Sequence, residues 1–375
     1  MPSLTTPIVP HYQPAPQTQE ALDYADLAII DLREFSAGPE ARAKLASQVR
    51  EAMSNQGFFY ICDWSWFNQG TGQWQASIRP DGHLQLRDSY LWSAYFQQTE
   101  RMFDIADVPF AQTEYEEKEK YLSSIKEAGS YQGKLHRDVN RRGHPEALLP
   151  LLPEIDQFAR HSHMNVLSPI LRLMAIGLEL PEDTLLNMHR WEGDSETYLR
   201  FMKYHPRSAE DEQKSKNVLL KGHNDIGTIT LLYSQPVSAL QILTREGTWK
   251  WIKHLENAIV VNSGDAMDFL SGGLYRATIH RVVQPPPDQR QYTRLGIFYF
   301  CMADDDVKLA PLIASPVLQR LGIKRRFERD EDAPVMAEWR KTRTAAYGQS
   351  VLSKSTEEED VEQEIIQGVV VKHYN

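Results

Sequence analysis

A series of short β-rich segments between residues 197 and 301 is the feature that most restricts the fold of this chain. The segments are rich in β-branched and aromatic residues and lie at 198–204, 228–232, 240–243, 249–252, 258–262, 277–283 and 294–301. Glycine, proline and polar residues separate them at 246–247, 263–265, 271–273 and 285–288. Many short strands with such turn signals are typical of a β-sandwich or a barrel.

The sequence on either side of this region is mainly helical in pattern. Apolar residues with a helical period predict the principal helix at 149–178. Shorter elements are predicted as helices at 41–54 and 89–104, as a charged helix or turn at 112–125, and as strands at 27–32 and 57–62. Residues 63–88 resemble an inserted loop, and the acidic stretch 353–364 predicts a solvated helix face. The predicted fold class is mainly β with flanking helices (α+β).

The composition narrows the possible partners and the compartment. The 375 residues carry 41 Lys and Arg against 51 Asp and Glu, a net charge of −10, which argues against a nucleic-acid partner. The two cysteines, Cys62 and Cys301, form neither a disulfide framework nor a thiolate zinc site. No apolar run is long enough to span a bilayer, and the Pro-rich start lacks the apolar core of a signal peptide. We therefore expect a cytoplasmic protein that binds neither nucleic acid nor membrane.

The stretch GHNDIGTITLL places His223 and Asp225 two residues apart at the head of a β-rich run. Residues two apart in a strand point to the same face, so both side chains can reach one ion. Two imidazoles and one carboxylate suit a divalent metal and leave positions open for substrates and O₂. The segment 277–283 offers a third ligand, His280, 55 residues after Asp225.

Other readings of these histidines stay open at this point. A lone His280 in a barrel is often a hydrogen-bonded core residue, and an isolated His-x-Asp is a weak signal. His161 and His163 are two residues apart in a predicted helix and therefore face apart. The remaining candidates, His83, His136, His144 and His254, lie in loops or beside turns.

Four stretches in this order carry a resemblance to a known family: GHNDIGTITLL, ALQILTREGTWKWI, AIVVNSGDAMDFLSGGLYRATIHRVV and TRLGIFYF. They resemble the non-haem iron(II), 2-oxoglutarate-dependent oxygenases of the isopenicillin N synthase and plant dioxygenase type. AIIDL and NQGFFYI are similar to the leading part of that family. The resemblance covers roughly residues 25–305.

The resemblance implies a double-stranded β-helix core, of the jelly-roll or cupin-like type. It implies four regions, namely an arm at 1–25, a mixed α/β and helical region at 26–195, the catalytic β-helix at 196–305 and a C-terminal helical extension at 306–375. The implied cofactors are Fe(II), 2-oxoglutarate as cosubstrate and O₂.

The resemblance also assigns roles to individual residues. The iron ligands are His223, Asp225 and His280. The cosubstrate is bound by Arg294, which pairs with its distal carboxylate, and by Tyr204. The primary substrate is faced by Arg200 and Phe300, so the substrate is expected to be a hydrophobic or aromatic small molecule with an anionic or carbonyl group.

The sequence departs from the family pattern at three places. Gly296 stands where the family usually has a serine that helps hold the cosubstrate. The step of 14 residues from His280 to Arg294 is longer than usual, which makes Arg290 a rival anchor. The insertion at 63–88 is expected to reshape the substrate entrance.

The implied activity is oxidation of an unactivated C–H bond of a small molecule, in secondary metabolism, with release of succinate and CO₂. Hydroxylation, desaturation and ring closure or expansion are all compatible with the residues. Two alternatives stay open: an iron-dependent oxidase of the same fold that does not use 2-oxoglutarate, and a non-catalytic binding barrel.

Overall fold

The computed structural model describes residues 7–61, 67–68, 73–74, 89–120, 143–346, 352–354 and 361–374. The first half of the chain is mostly helical. Its elements are β1 (Ile29–Ile30), α1 (Pro39–Asn55), β2 (Phe58–Ile61), β3 (Phe67–Asn68), β4 (Gln73–Trp74), α2 (Ser89–Ala111), α3 (Tyr115–Glu119), α4 (Leu152–His161) and α5 (Ser168–Gly177). Within the described ranges, no helix has both the length and the apolarity needed to cross a membrane.

The second half contributes most of the strands. Its elements are β5 (Tyr198–Tyr204), α6 (Ala209–Lys214), β6 (Val218–His223), β7 (Ile229–Tyr233), β8 (Leu240–Leu243), β9 (Trp249–Trp251), β10 (Ile259–Ser263), α7 (Asp265–Leu270), β11 (His280–Val283), β12 (Arg294–Cys301), α8 (Pro316–Leu321), α9 (Met336–Ala346), β13 (Ser353–Lys354), β14 (Val361–Ile366) and β15 (Val369–Tyr374). The strands predicted at 198–204, 240–243 and 294–301 have the observed bounds.

Two sheets organise these strands. One has six strands in the order β1-β2-β10-β7-β12-β5, and the other has seven in the order β13-β14-β15-β6-β11-β8-β9. Apart from the parallel pair β1 and β2, the strand pairs of both sheets are antiparallel. The predicted α+β class, with a β core and flanking helices, is confirmed.

Side-chain alternation on the six-stranded sheet separates an apolar core from a cavity. On β12 the residues that pack into the large helix-side core are Leu295, Ile297, Tyr299 and Cys301. The alternate residues of the same strand line a cavity, and they are Arg294, Phe298 and Phe300. Successive strand residues point to opposite faces, so one strand serves both purposes.

The helix predicted at 149–178 is present as a continuous succession of helical turns with a wider π-type segment, Ser162–Leu167, between α4 and α5. This segment buries His163, whose Nδ1 lies 2.9 Å from the Tyr299 hydroxyl and whose Nε2 lies 2.9 Å from the His189 carbonyl oxygen. His163 is therefore a hydrogen-bonded core histidine, away from the candidate metal ligands.

The helical prediction for the C-terminal region is wrong for its last part. Residues 361–374 form the hairpin β14–β15, and β15 pairs with β6 through Tyr374 and Gly222. The hairpin turn has positive φ at Gln367 (49°) and Gly368 (81°), as a tight two-residue turn requires. The acidic composition suggested a solvated helix, but Glu364 is buried, 2.9 Å from the ring nitrogen of His373.

Some predicted segments lie outside the described residues. Of the insertion at 63–88, the structure describes only the short antiparallel pair β3 and β4. Of the charged helix or turn predicted at 112–125, it describes α3. The region boundaries at 26, 196 and 306 stay predictions.

Candidate metal centre

Three side chains converge on one point: two lie on the seven-stranded sheet, and the third lies in the connection between β6 and β7. His223 is the last residue of β6 and His280 the first of β11, and the two are cross-strand partners. The Nε2 atoms of His223 and His280 lie 3.9 Å and 3.7 Å from Asp225 Oδ1. The three potential ligand atoms all lie within 4.8 Å of one another. The predicted residues are thus brought together.

The local geometry differs from the sequence prediction in one respect. His223 ends a strand instead of beginning one, and Asp225 lies in the connection between β6 and β7. The two side chains therefore converge because the chain turns after His223, and not because they share a strand face. The strand β6 itself was not predicted.

Hydrogen bonds fix the ring orientation of both histidines. Nδ1 of His223 lies 2.8 Å from the Lys221 carbonyl oxygen, and Nδ1 of His280 lies 3.1 Å from the Thr278 carbonyl oxygen. A carbonyl acceptor requires N–H at Nδ1, which leaves the Nε2 lone pair directed at the shared point. Burial, and next the neighbouring His280, lower the pKa of His223 to about 4, so this imidazole is neutral at pH 7.

The two carboxylate oxygens of Asp225 have different roles: Oδ2 accepts hydrogen bonds from neighbouring residues, and Oδ1 faces the two histidines. Oδ2 accepts hydrogen bonds from Thr230 Oγ1 at 2.7 Å and Asn262 Nδ2 at 2.8 Å. Oδ1 faces the two Nε2 atoms. Burial raises the pKa of Asp225, but the two imidazoles and the two hydrogen bonds outweigh it, so the pKa lies below its ordinary value. The group is a carboxylate with one free oxygen.

A cavity of about 150 Å³ connects these residues with β5 and β12. The two strands are paired so that Tyr204 is opposite Arg294 and Arg200 is opposite Phe298. Residues of alternate register from both strands line the cavity, and they include Tyr198, Arg200, Met202, Tyr204, Arg294 and Phe300. The predicted cosubstrate and substrate residues therefore share one cavity with the three metal-ligand candidates.

Arg294 is a buried cation that lines this cavity. Its side chain is 3% exposed, and its Nε and Nη1 atoms have no hydrogen-bond partner within the described part of the chain. Its guanidinium carbon lies 5.7 Å from the centre of the Tyr204 ring. Burial lowers the pKa of Arg294 and raises that of Tyr204. The rival Arg290 is exposed and donates to the Pro285 carbonyl oxygen at 3.4 Å.

Phe298 occupies the space beside Gly296. A Cβ atom added to Gly296 would lie 2.6 Å from Cε2 of Phe298, so the ring stands where the side chain of a serine would project. Phe298 also stacks on Phe300, with centroids 5.6 Å apart and planes at 9°. Sequence reasoning missed Phe298, although its spacing of four residues from Arg294 places it on the same face of β12.

Arg200 lies beside Tyr198 on the wall of the cavity. The Arg200 guanidinium hydrogen-bonds to the Tyr198 hydroxyl, and burial raises the pKa of Tyr198 to about 12. The Tyr198 ring packs against Phe300 with centroids 5.2 Å apart. A cation and an aromatic wall thus stand near the metal-ligand candidates.

The cavity also receives a residue that sequence reasoning missed entirely. Arg343 of α9 lines it, 2% exposed. It is 119 residues from its partner Asn224. No periodicity or motif in the sequence marks this residue, so a local reading could not find it.

Comparison with known proteins agrees with this geometry. Residues 196–303 match the 2OG-Fe(II) oxygenase superfamily. A 2-oxoglutarate-dependent dioxygenase of Gibberella zeae is 32% identical over 166 residues, which are 44% of this chain and 48% of that protein. Another, of Dothideomycetidae sp., is 29% identical over 297 residues, 78% of this chain and 86% of that protein. The chain thus spans about half the length of the first relative and most of the second.

A full-length Neurospora crassa protein, crystallised with alpha-ketoglutarate and 5-formyluracil, has a similar fold. Its TM-score is 0.65 at 19% identity, over 88% of this chain and 100% of that chain. The predicted double-stranded β-helix core is confirmed. In this chain the match to the 2OG-Fe(II) oxygenase superfamily covers residues 196–303, the range that contains the three metal-ligand candidates. Assignment of the chain to the isopenicillin N synthase type stays a prediction.

Proposed function

We propose that this protein is an iron(II)- and 2-oxoglutarate-dependent oxygenase that oxidises an unactivated C–H bond of a small organic molecule. The observation that carries the proposal is the buried guanidinium of Arg294, whose Nε and Nη1 have no hydrogen-bond partner among the described residues, in the same cavity as His223, Asp225 and His280. A scaffold protein has no need of either feature. Their combination suits a dianionic cosubstrate that bridges a cation and a metal.

The three metal-ligand candidates fit ferrous iron. Two imidazole Nε2 atoms and one carboxylate oxygen converge, and the other polar atom of each side chain takes part in a hydrogen bond that orients it. Nitrogen and oxygen donors of this kind favour a divalent first-row metal. His223, Asp225 and His280 are therefore proposed as the residues that hold iron.

Arg294 and Tyr204 fit the distal carboxylate of 2-oxoglutarate. A guanidinium donates two parallel N–H groups in the geometry that a carboxylate accepts. Because Arg294 is buried without a carboxylate partner in the described ranges, an incoming carboxylate supplies the charge and hydrogen bonds it lacks. Tyr204 is the residue opposite Arg294 in the strand register.

Bound iron supplies O₂ activation coupled to the oxidative decarboxylation of 2-oxoglutarate to succinate and CO₂. The protein's own residues do the rest. Arg294 fixes one end of the cosubstrate, and the hydrogen bonds to Asp225 Oδ2 keep Oδ1 in place. Phe58 packs edge-on against His280, with centroids 5.6 Å apart, and limits access of water to that side of the site.

The proposed substrate is a small hydrophobic or aromatic molecule with an anionic or carbonyl group, a product of secondary metabolism. Arg200 offers a cation to such a group, and Phe300 and Phe298 offer a stacked aromatic surface. A cavity of about 150 Å³ suits a small molecule better than a protein segment. Hydroxylation, desaturation and ring closure or expansion all remain compatible with these residues.

Gly296 supports one alternative, an iron-dependent oxidase of the same fold that does not use 2-oxoglutarate. Phe298 fills the place of the serine hydroxyl that usually assists the arginine. The orphaned Arg294 favours the 2-oxoglutarate reading, because an oxidase without a dianionic cosubstrate leaves this cation unpaired.

The test is release of labelled CO₂ from 2-oxo[1-¹⁴C]glutarate by iron-loaded protein, with succinate measured in parallel. The expected result is release by wild type and by Arg290→Met, whose exposed side chain lies outside the cavity, and loss of release in Arg294→Met. Equal release by Arg294→Met and wild type, or iron-dependent O₂ uptake with no succinate, would contradict the proposal.

A further inference from the structure

The helix α9 places the charged side chain of Arg343 beside Asn224 and Asp265, next to the candidate metal ligand Asp225. We propose that Arg343 is a positioning residue: through Asp265 and Asn224 it holds the turn that carries the metal ligand Asp225. The inference rests on the proposed function, since it requires Asp225 to bind the metal. It gives the C-terminal extension a part in the site.

Arg343 contacts both the turn that carries Asp225 and the first residue of α7. Its Nη2 donates to Asp265 Oδ2 at 3.2 Å and to the Asn224 carbonyl oxygen at 3.4 Å. The side-chain amide of Asn224 also hydrogen-bonds to the Asp265 carboxylate. The Arg343 and Asp265 side chains are 2% and 11% exposed. The three residues therefore form a hydrogen-bonded polar cluster next to Asp225, in which the Arg343–Asp265 pair is buried.

The start of α7 holds the turn through its backbone. The amide nitrogen of Asp265 donates to the Asp225 carbonyl oxygen at 2.8 Å, and that of Ala266 donates to the Gly227 carbonyl oxygen at 3.1 Å. A Cβ atom on Gly264 would lie 2.6 Å from the Asp225 carbonyl oxygen, so the two segments are as close as they can be. A movement of Asp265 is therefore transmitted to Asp225.

The helix α9, which carries Arg343, is fixed in the core by Trp339. One turn before Arg343, Trp339 is fully buried, and its ring centroid lies 5.0 Å from that of Phe269 in α7. The Arg343 guanidinium carbon lies 5.7 Å from the Trp339 ring centre. The helix α9 thus has a fixed position relative to α7, and Arg343 spans the gap between them.

Removal of Arg343 leaves the buried carboxylate of Asp265 without its cation. A buried charge that has lost its partner is costly, and the structure relaxes to bring water or another donor to it. That relaxation displaces the turn and misplaces Oδ1 of Asp225. Groups that orient metal ligands in this way typically change metal affinity about 10- to 100-fold.

A purely electrostatic role predicts the opposite sign. Arg343 is a cation near the site, and a cation repels a divalent metal ion. If charge alone mattered, its removal would strengthen metal binding. The direction of the change therefore separates positioning from electrostatics.

The test is titration of the metal-free protein with Co(II), followed by its visible absorption, in parallel with thermal unfolding. The variants are Arg343→Met, Arg343→Lys, Asp265→Asn and the double variant Arg343→Met/Asp265→Asn. The matched control is Arg340→Met on the same helix, because Arg340 is also buried and pairs with Glu196 and Asp305 instead of the turn. Asp225→Ala reports whether Co(II) occupies the proposed site.

We expect Arg343→Met to bind Co(II) about 10-fold more weakly, with an altered spectrum, and Arg340→Met to bind within about twofold of wild type. The double variant should bind no more weakly than Arg343→Met, because it removes both charges of the pair. If Arg343→Met does not fold, Arg343→Lys carries the same test, since lysine keeps the positive charge but its shorter side chain places no nitrogen at the position of Nη2.

Wild-type or tighter Co(II) binding by the Arg343 variants overturns the inference and leaves the proposed function intact. An equal loss in Arg340→Met overturns it as well, because the effect is then one of general stability. Failure of wild type to bind Co(II) more tightly than Asp225→Ala overturns the proposed function and the inference together.

Discussion

Two buried arginines line the same cavity, and their surroundings differ in one respect. Arg343 is paired with Asp265 and Asn224, whereas Arg294 has two guanidinium nitrogens without a partner in the described chain. Both are at most 3% exposed. A buried charge without a partner is unfavourable, so a protein that retains one has a reason beyond stability.

The difference separates a binding group from a structural one. Arg343 already has its anion and serves to hold its neighbours. Among the described residues Arg294 has no anion, and under the proposed function the carboxylate of a ligand supplies one. The two arginines should therefore respond in opposite ways when each is replaced by methionine.

The largest expected effect is on cosubstrate affinity in Arg294→Met. Loss of a buried guanidinium–carboxylate pair should weaken 2-oxoglutarate binding by about 1,000-fold, equivalent to roughly 4 kcal/mol.

The metal-free Arg294→Met variant should also be more stable than wild type, by about 2 kcal/mol, because an unpaired buried charge is gone. Isothermal titration and urea unfolding measure the two quantities; a destabilised apoprotein would show that Arg294 has an unrecognised structural partner.

The next effect is on stability in Arg343→Met. This change removes one partner of a buried pair, so the free energy of unfolding should fall by about 3 kcal/mol. Urea unfolding of the metal-free protein measures it, with Asp265→Asn/Arg343→Met as the control that recovers part of the loss. A stability gain, as expected for Arg294→Met, would remove the contrast between the two arginines.

A smaller effect, on metal affinity, is expected when a hydrogen bond to Oδ2 of Asp225 is removed. Thr230→Val deletes the 2.7 Å hydrogen bond to Oδ2 at nearly constant volume. The Asp225 carboxylate, held at Oδ2 by Asn262 alone, then rotates more readily, and Co(II) affinity should fall about 10-fold. Thr248→Val, an exposed threonine with a local hydroxyl contact to Thr244, is the control and should leave affinity unchanged.

The smallest effect concerns the missing serine. Gly296→Ser alone should not improve 2-oxoglutarate affinity, because the new Cβ meets the Phe298 ring. With Phe298→Ala in the same chain, the hydroxyl gains room, and affinity should rise about fivefold over Phe298→Ala alone. Isothermal titration of the three variants decides, and improvement in the single Gly296→Ser variant would show that the ring yields easily.

The residues that line the cavity could be predicted from the sequence more fully than the elements that hold them in place. Strands β5, β8 and β12 have strong β-rich patterns, and their bounds were found because those patterns are local. Alternation along β5 and β12 explains why Arg200, Tyr204, Arg294 and Phe300, the residues that the resemblance named, line one cavity.

What could not be predicted depends on distant contacts. Strand β6 was missed because Gly222 resembles a turn signal, yet glycine is required there because Tyr374 Cβ lies 2.7 Å from where a Cβ would stand. The C-terminal hairpin that supplies Tyr374 was itself hidden by its acidic composition. Arg343 reaches the site only through the packing of α9 on α7, which no local pattern encodes.

The central claim is that one ligand bridges the metal centre and Arg294. Its most direct test is anaerobic titration of the iron(II)-loaded protein with 2-oxoglutarate, followed by the visible charge-transfer absorption of the chelate. The account predicts this absorption at low 2-oxoglutarate in wild type and Arg290→Met, at about 1,000-fold higher concentration in Arg294→Met, and not at all in Asp225→Ala. No absorption in iron-loaded wild type, or wild-type affinity in Arg294→Met, would contradict it.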